Sequence, residues 1–146
     1  MTTTVAVLGA GAWGTAVACH LSARAAHPSH VTLWTRDAAQ AAALTAVREN
    51  ARYLPGVALP EPLVVTADLA AAARAPLLVA AVPVDALPDL ARRLAAQGAF
   101  APLVWLAKGF VASPAFPAGV GLAHQLIAPD WPAPVHVRAV VTTRAG

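Results

Sequence analysis

The sequence has a single cysteine, a single lysine and no long apolar run. With only Cys19 present, neither an internal disulfide nor a cysteine-based metal site is possible. The longest apolar run, residues 75–84, contains two prolines, whereas a membrane-spanning helix needs about 20 apolar residues. No basic segment precedes the first apolar run, so we expect no signal peptide. These scarcities predict a cytoplasmic protein with no membrane partner.

Positive charge comes almost entirely from arginine and is scattered along the chain. The formal net charge is +3, yet Arg92 and Arg93 are the only adjacent basic pair. A nucleic-acid-binding surface concentrates such charge, so these arginines are interpreted as a solvated helix face and no nucleic-acid partner is predicted. His27 and His30 have no acidic or cysteine neighbours, and no metal site is predicted. The one lysine, Lys108, is singled out by its rarity.

Three glycines follow the first apolar segment with the spacing G-x-G-x-x-G. Residues 5–8 lead into Gly9, Gly11 and Gly14, and an alanine-rich segment of helical character continues the chain. In a dinucleotide-binding turn the first glycine permits the tight turn. The second lets the backbone approach a pyrophosphate, and the third lets the helix pack closely on the strand. The helix start also suits phosphate, because its N–H groups are unpaired and carry partial positive charge.

Strand-like apolar segments alternate with helical segments along the chain. A chain of 146 residues has room for one domain with a sizeable core. The alternation predicts a single α/β domain of the Rossmann type, doubly wound around a mainly parallel sheet. Strands are predicted at 2–8, 31–34, 63–66, 77–82 and 103–107, helices at 12–26, 38–48, 67–75 and 85–97, and a further helix and a final strand at 120–127 and 135–142.

The end of the second strand is where a dinucleotide fold meets the adenosine ribose. An acidic residue there favours NAD, whereas an arginine accommodates the 2′-phosphate of NADP. Here Arg36 precedes Asp37. Arg36 can bind phosphate or stack on adenine, and Asp37 can cap the next helix. The pair favours NADP or tolerance of both cofactors; the alternative is an arginine that simply faces solvent.

Two further strand ends are predicted at the same functional edge of the sheet. Residues 81–83, ending at Pro83, would lie near the nicotinamide half of the cofactor. Lys108 follows the fifth strand and could hold a phosphate or a polarised oxygen as a point charge. The alternative for Lys108 is an ordinary exposed lysine.

Together these features resemble the N-terminal domain of bacterial NAD(P)-dependent glycerol-3-phosphate dehydrogenases. The resemblance runs in order from about residue 5 to residue 109, and Val84 departs from it where the family usually has serine. The matching segments are the glycine turn of 9–16, Leu-Trp-Thr-Arg-Asp at 33–37, the Asn-x-x-Tyr-Leu-Pro-Gly loop at 50–56, Ala-Val-Pro at 81–83 and Lys-Gly at 108–109.

The resemblance implies roles for individual residues. Ala12, Trp13 and Arg36 would contact the dinucleotide, with Tyr53 nearby. Lys108 would touch both the cofactor and the substrate. The implied cofactor is NADP or NAD, and the substrate is a small phosphate ester. The implied reaction is reversible hydride transfer between NAD(P)H and dihydroxyacetone phosphate, which gives glycerol 3-phosphate for phospholipid synthesis.

The sequence departs from the family pattern after about residue 135. The family continues into a Ser-Gly-Pro-[Ser/Thr]-Phe-Ala motif that helps bind substrate, whereas residues 136–146 carry no such motif. The family's C-terminal helical domain, with its catalytic lysine, is expected to be absent. We interpret 1–146 as an NAD(P)-binding domain with a divergent tail at 136–146. The tail would come from a reading-frame change near His136 or from truncation of the gene.

A cofactor-binding half of this kind is expected to be inactive by itself and to hold no catalytic residue. It would lack a general acid or base and a closed, dry cleft for hydride transfer. The alternative is a stand-alone dinucleotide-binding sensor or partner module. An apolar face exposed by the absent domain would favour self-association.

Overall fold

A computed structural model describes residues 3–24 and 29–132 of the chain. The predicted final strand at 135–142, the tail at 136–146 and His27 lie outside the described residues. Among the described residues, none of the helices combines the length and apolarity of a membrane span.

Five parallel strands form the central sheet and confirm the predicted fold class. The strand order is β3-β2-β1-β4-β5, so the chain moves outward from β1 in both directions. β1 pairs along its whole length with β2, and its second half pairs with β4. The strands are β1 (Thr3–Leu8), β2 (Ser29–Trp34), β3 (Val64–Thr66), β4 (Leu78–Ala80) and β5 (Leu103–Trp105).

Helices connect the strands and cover both faces of the sheet. Asp37 caps the second helix through its side chain, as predicted, and Asp68 caps the third in the same way. A 3₁₀ turn at Val84–Ala86 precedes the fourth helix. The helices are α1 (Ala12–Ser22), α2 (Ala38–Val47), α3 (Leu69–Ala73), α4 (Leu87–Ala96) and α5 (Ala123–Ile127).

The structure corrects two predicted elements. The first helix ends at Ser22 rather than at residue 26. The helix predicted at 120–127 is only its second half, because Val120 and Gly121 form strand β7, which pairs antiparallel with β6 (Val111–Ala112). This small hairpin was not predicted.

Side chains of β1 point alternately into two apolar clusters. Val5 and Val7 pack with Ala18 and Cys19 of α1 on one face. On the other face, Leu8 packs with Leu87, Leu90 and Leu94 of α4, together with residues of α5. Because both faces are covered, the central strands are apolar throughout, as buried parallel strands are. The two clusters fix α1 and α4 on opposite faces of the sheet.

Candidate functional site

The three glycines have different surroundings in the turn between β1 and α1. Gly9 has a φ of +116°, and a Cβ there would lie 2.6 Å from the carbonyl oxygen of Ala81. A Cβ on Gly14 would overlap the carbonyl oxygen of Gly9. A Cβ on Gly11 would meet no atom of the described residues within 4 Å. The fold therefore requires glycine at Gly9 and Gly14, while the space beside Gly11 remains open to a ligand.

Two side-chain amides from other elements support this turn. The Nδ2 of Asn50 donates to the carbonyl oxygen of Ala10 (2.9 Å) and to the Oγ1 of Thr15 (2.8 Å). The Nε2 of Gln40 donates to the same Ala10 oxygen (3.2 Å), and its Oε1 accepts from the Oγ1 of Thr35 (2.6 Å). Asn50 is only 3% exposed. One hydrogen-bond network therefore joins the glycine turn, the 50–56 loop and the end of β2.

A cavity of about 480 Å³ opens beside the glycine turn at the carboxyl ends of the strands. A second cavity of about 460 Å³ shares four residues with it, including Arg36 and Tyr53, on the side of the 50–56 loop. The first cavity is lined by Gly9, Ala10, Gly11, Trp34, Thr35, Arg36, Gln40, Tyr53, Ala81, Val82, Pro83, Ala86, Asp89, Leu90 and Arg93. A cleft in this place is where open α/β sheets bind their ligands.

The predicted site residues divide into two groups. Gly9, Gly11, Arg36, Tyr53 and Pro83 line the first cavity. Gly14 lies beneath the turn, where it allows α1 to approach β1 closely. The residues outside the lining of both cavities are Ala12, Trp13, Gly14 and Lys108.

Trp13 and Lys108 are both exposed. Trp13 lies in the first turn of α1, and 70% of its surface is exposed. Lys108 follows the end of β5 at the same edge of the sheet, as predicted. The contacts proposed for these two side chains stay predictions.

Helix α4 forms one wall of the cavity. This wall carries charged side chains that the sequence did not predict as part of the site. The guanidinium carbon of Arg93 lies 5.7 Å from the centre of the Trp34 ring. Trp34 is buried, and its Nε1 donates to the carbonyl oxygen of Ala67 (3.2 Å). Asp89 also lines the cavity, but its carboxylate pairs with Arg92 at 3.5 Å. Helical spacing could have separated Arg93 from Arg92, because Arg93 lies three residues after the buried Leu90.

Cys19 lies on the buried face of α1. Burial raises the pKa of its thiol, and the nearby positive charge of Arg48 offsets part of that effect. A protonated thiol is a weak nucleophile, so Cys19 acts as a small apolar core residue. Among residues 3–24 and 29–132, no group of three or more His, Cys, Asp or Glu side chains is placed to hold a metal ion.

The sheet order, the glycine turn and the cavity at the strand ends define a Rossmann-type domain of the kind that binds dinucleotides. The family model described as "NAD-dependent glycerol-3-phosphate dehydrogenase N-terminus" matches residues 4–139. The chain therefore belongs to this family.

Curated relatives and solved structures agree with the family match. The chain is 50% identical over 127 residues to a glycerol-3-phosphate dehydrogenase [NAD(P)+] of Acidovorax ebreus (strain TPSY), covering 85% of this chain and 36% of that one. It is 53% identical over 110 residues to the enzyme of that name from Cupriavidus necator, covering 70% of this chain and 31% of that one. The chain thus spans about a third of the length of these relatives.

Among solved structures, the glycerol-3-phosphate dehydrogenase of Coxiella burnetii superimposes with a TM-score of 0.77 at 29% identity. The match covers 93% of this chain and 40% of that one. The Plasmodium falciparum enzyme gives a TM-score of 0.75 at 24% identity, covering 92% of this chain and 40% of that one, and supports the fold alone.

Proposed function

We propose that the chain binds NADP(H) or NAD(H) in the cavity beside the glycine turn. The observation that carries the proposal is the open space next to Gly11 at the start of α1. Gly9 and Gly14 are required by the protein's own packing, whereas a Cβ on Gly11 would meet no atom within 4 Å in the part of the chain that the structure describes. Backbone N–H groups at the start of a helix suit a pyrophosphate, so the residues present fit a dinucleotide.

Residues around the cavity would hold different parts of the cofactor. The backbone of Gly11 and Ala12 would bind the pyrophosphate, and Arg36 would bind the adenosine ribose or its 2′-phosphate. Tyr53 and Pro83 would border the adenosine and nicotinamide ends. Trp13 would contact the dinucleotide from the first turn of α1.

We further propose that the chain is the cofactor-binding part of an oxidoreductase. The reaction would be the interconversion of dihydroxyacetone phosphate and glycerol 3-phosphate, and the bound nicotinamide would carry the hydride. Lys108 would bind the phosphate of the substrate and contact the cofactor. The family membership and the place of Lys108 at the ligand-binding edge support this proposal.

We expect the chain to bind cofactor with little or no turnover by itself. Arg36, Tyr53 and Arg93 are exposed at the cavity, so water reaches the site, whereas hydride transfer is favoured in a closed, dry cleft.

In the cell the reaction would serve phospholipid synthesis in the cytoplasm. Exposed apolar residues around the β6–β7 hairpin, Phe110, Val120 and Leu122, would favour self-association.

Direct titration tests the proposal. The purified chain is titrated with NADPH and NADH by isothermal calorimetry, and dihydroxyacetone phosphate reduction is then followed by loss of NADPH absorbance. We expect saturable binding of at least one nucleotide and turnover at the level of a protein-free control. If neither NADPH nor NADH bound, the binding proposal would be refuted. Turnover well above the control would refute the expectation that this chain is inactive alone.

A further inference from the structure

We propose that Arg93 of α4 is a second arginine that, with Arg36, selects the 2′-phosphate of NADP(H). The inference rests on the proposed binding of a dinucleotide in the cavity. It assigns a role in cofactor specificity to α4, a helix separate from the glycine turn and from the end of β2. The inference is based on one observation: Arg36, which follows β2, and Arg93, on α4, line the same cavity.

The position of Arg93 is fixed by the packing of α4. Leu87, Leu90 and Leu94 of this helix are buried in the core, each with no more than 4% of its surface exposed. Arg93 follows Leu90 by three residues, so both lie on the same side of the helix, and both line the cavity. Arg92, one residue earlier, is absent from the lining of that cavity. The helix therefore directs one arginine of the pair to the site and the other away from it.

The Trp34 ring orients the guanidinium of Arg93 without cancelling its charge. The guanidinium carbon is 5.7 Å from the ring centre, within the range of a cation–π contact. The ring itself is fixed, because it is buried and its Nε1 donates to Ala67. Stacking of this kind leaves the N–H groups at the edge of the guanidinium available to an anion. Trp34 is also two residues before Arg36, so both arginines lie near the carboxyl end of β2.

The charges around the cavity favour a dianion over a neutral hydroxyl. Asp89 carries the only carboxylate that forms an ion pair among the described residues. Its partner is Arg92 rather than Arg93. Within residues 3–24 and 29–132, no carboxylate oxygen therefore lies within 4 Å of a side-chain nitrogen of Arg36 or Arg93. A ribose 2′-phosphate carries a charge close to −2, as other phosphate monoesters do. Two arginines can neutralise it, whereas a 2′-hydroxyl gains little from either.

The test compares Arg93→Gln with Arg74→Gln, which removes the same charge from an exposed residue that lines neither cavity. Kd values are measured by calorimetry for NADPH and NADH, and for the fragments 2′,5′-ADP and 5′-AMP, at one low salt concentration. We expect Arg93→Gln to weaken NADPH and 2′,5′-ADP binding about tenfold or more, as loss of a charge-assisted contact does. NADH and 5′-AMP binding should change less than about twofold, and Arg74→Gln should leave all four within about twofold.

A second variant separates charge from stacking. Arg93→Lys keeps the positive charge but loses the planar group that lies over Trp34, so its loss of NADPH affinity should be smaller than that of Arg93→Gln. Equal weakening of all four ligands by Arg93→Gln would overturn the inference, as would an unchanged ratio of NADPH to NADH affinity. If the wild-type chain binds none of the four, the proposed function itself fails. If it binds NADPH and Arg93→Gln does not alter the preference, only this inference fails.

Discussion

Gly11 and Gly14 are close in sequence but differ in what a methyl group would meet. We expect Gly14→Ala to lower the free energy of unfolding by about 2 kcal/mol or more, because its Cβ would overlap the carbonyl oxygen of Gly9. Gly11→Ala should change that free energy by less than about 0.5 kcal/mol. It should nevertheless weaken dinucleotide binding about tenfold, because the methyl group would occupy the space proposed for the pyrophosphate. Urea unfolding and nucleotide titration measure the two effects.

The same pair supplies its own control. If Gly11→Ala destabilised the fold as strongly as Gly14→Ala, the open space beside Gly11 would not reflect the folded chain in solution. If Gly11→Ala were stable and bound nucleotide as well as the wild type, the pyrophosphate would have to be bound elsewhere.

Single residues of the site were predictable where the requirement is local. The glycine spacing predicted the turn, because Gly9 and Gly14 are required by close contacts with the backbone of the turn and of the strand beside it, and Gly11 leaves space next to them. The support given by Asn50 and Gln40 was not predictable, since their shared acceptor on Ala10 lies 40 and 30 residues away in sequence. Helical spacing distinguishes Arg93 from Arg92, but only the tertiary packing shows that the cavity borders the side of α4 that carries Arg93.

Helix α2 depends on a side-chain cap that also serves the site. The Oδ1 of Asp37 accepts from the backbone N–H groups of Ala39 (2.9 Å) and Gln40 (3.2 Å). We expect Asp37→Ala to lower the free energy of unfolding by about 1 kcal/mol, a typical effect of losing such a cap. Dinucleotide affinity should fall as well, because fraying of this helix end releases Gln40 from Ala10. Thermal unfolding and calorimetric titration measure the two changes.

Asn is the matched control at this cap. Asp37→Asn keeps an oxygen that can accept from both N–H groups, so its stability should lie close to that of the wild type. A loss for Asp37→Asn equal to that of Asp37→Ala would mean that the charge of Asp37, and not its role as a cap, stabilises the helix.

Whole elements were predicted where the sequence pattern repeats over several residues. The five parallel strands and the cap at Asp37 are confirmed. The end of α1 was misplaced, because alanine continues to favour helix past Ser22 and no glycine or proline marks the stop. Strands β6 and β7 were missed because each is two residues long. Their pairing is fixed by the turn between them, where the N–H of Ser113 donates to Gly119.

The stability of the whole molecule should respond to alkaline pH through Cys19. Burial raises the pKa of this thiol in the folded chain, while an unfolded cysteine titrates near pH 8.5. The contribution is therefore fully present below the unfolded pKa. It is lost as the pH rises from there toward the higher folded pKa, because the unfolded chain then gives up a proton that the folded chain retains. Denaturant unfolding measured from pH 7 to pH 10 should show this decline.

Cys19→Ala isolates the contribution of the thiol. The variant should be less stable at neutral pH, because a buried side chain has been shortened, but its stability should fall less steeply above pH 8.5. Identical slopes for variant and wild type would show that Cys19 is not the group responsible. As a second measure, the thiol should react with iodoacetamide much more slowly in the folded chain than in urea.

The hydrogen bonds from Asn50 and Gln40 to Ala10 have a consequence for the thermodynamics of ligand association. The protein's own side chains make these bonds to the glycine turn, so we expect the site to be preorganised. The turn loses its conformational entropy when the protein folds. Dinucleotide binding therefore costs little additional conformational entropy. Dinucleotide binding should then show the small heat-capacity change of surface burial alone, without the larger one that accompanies folding of a disordered loop.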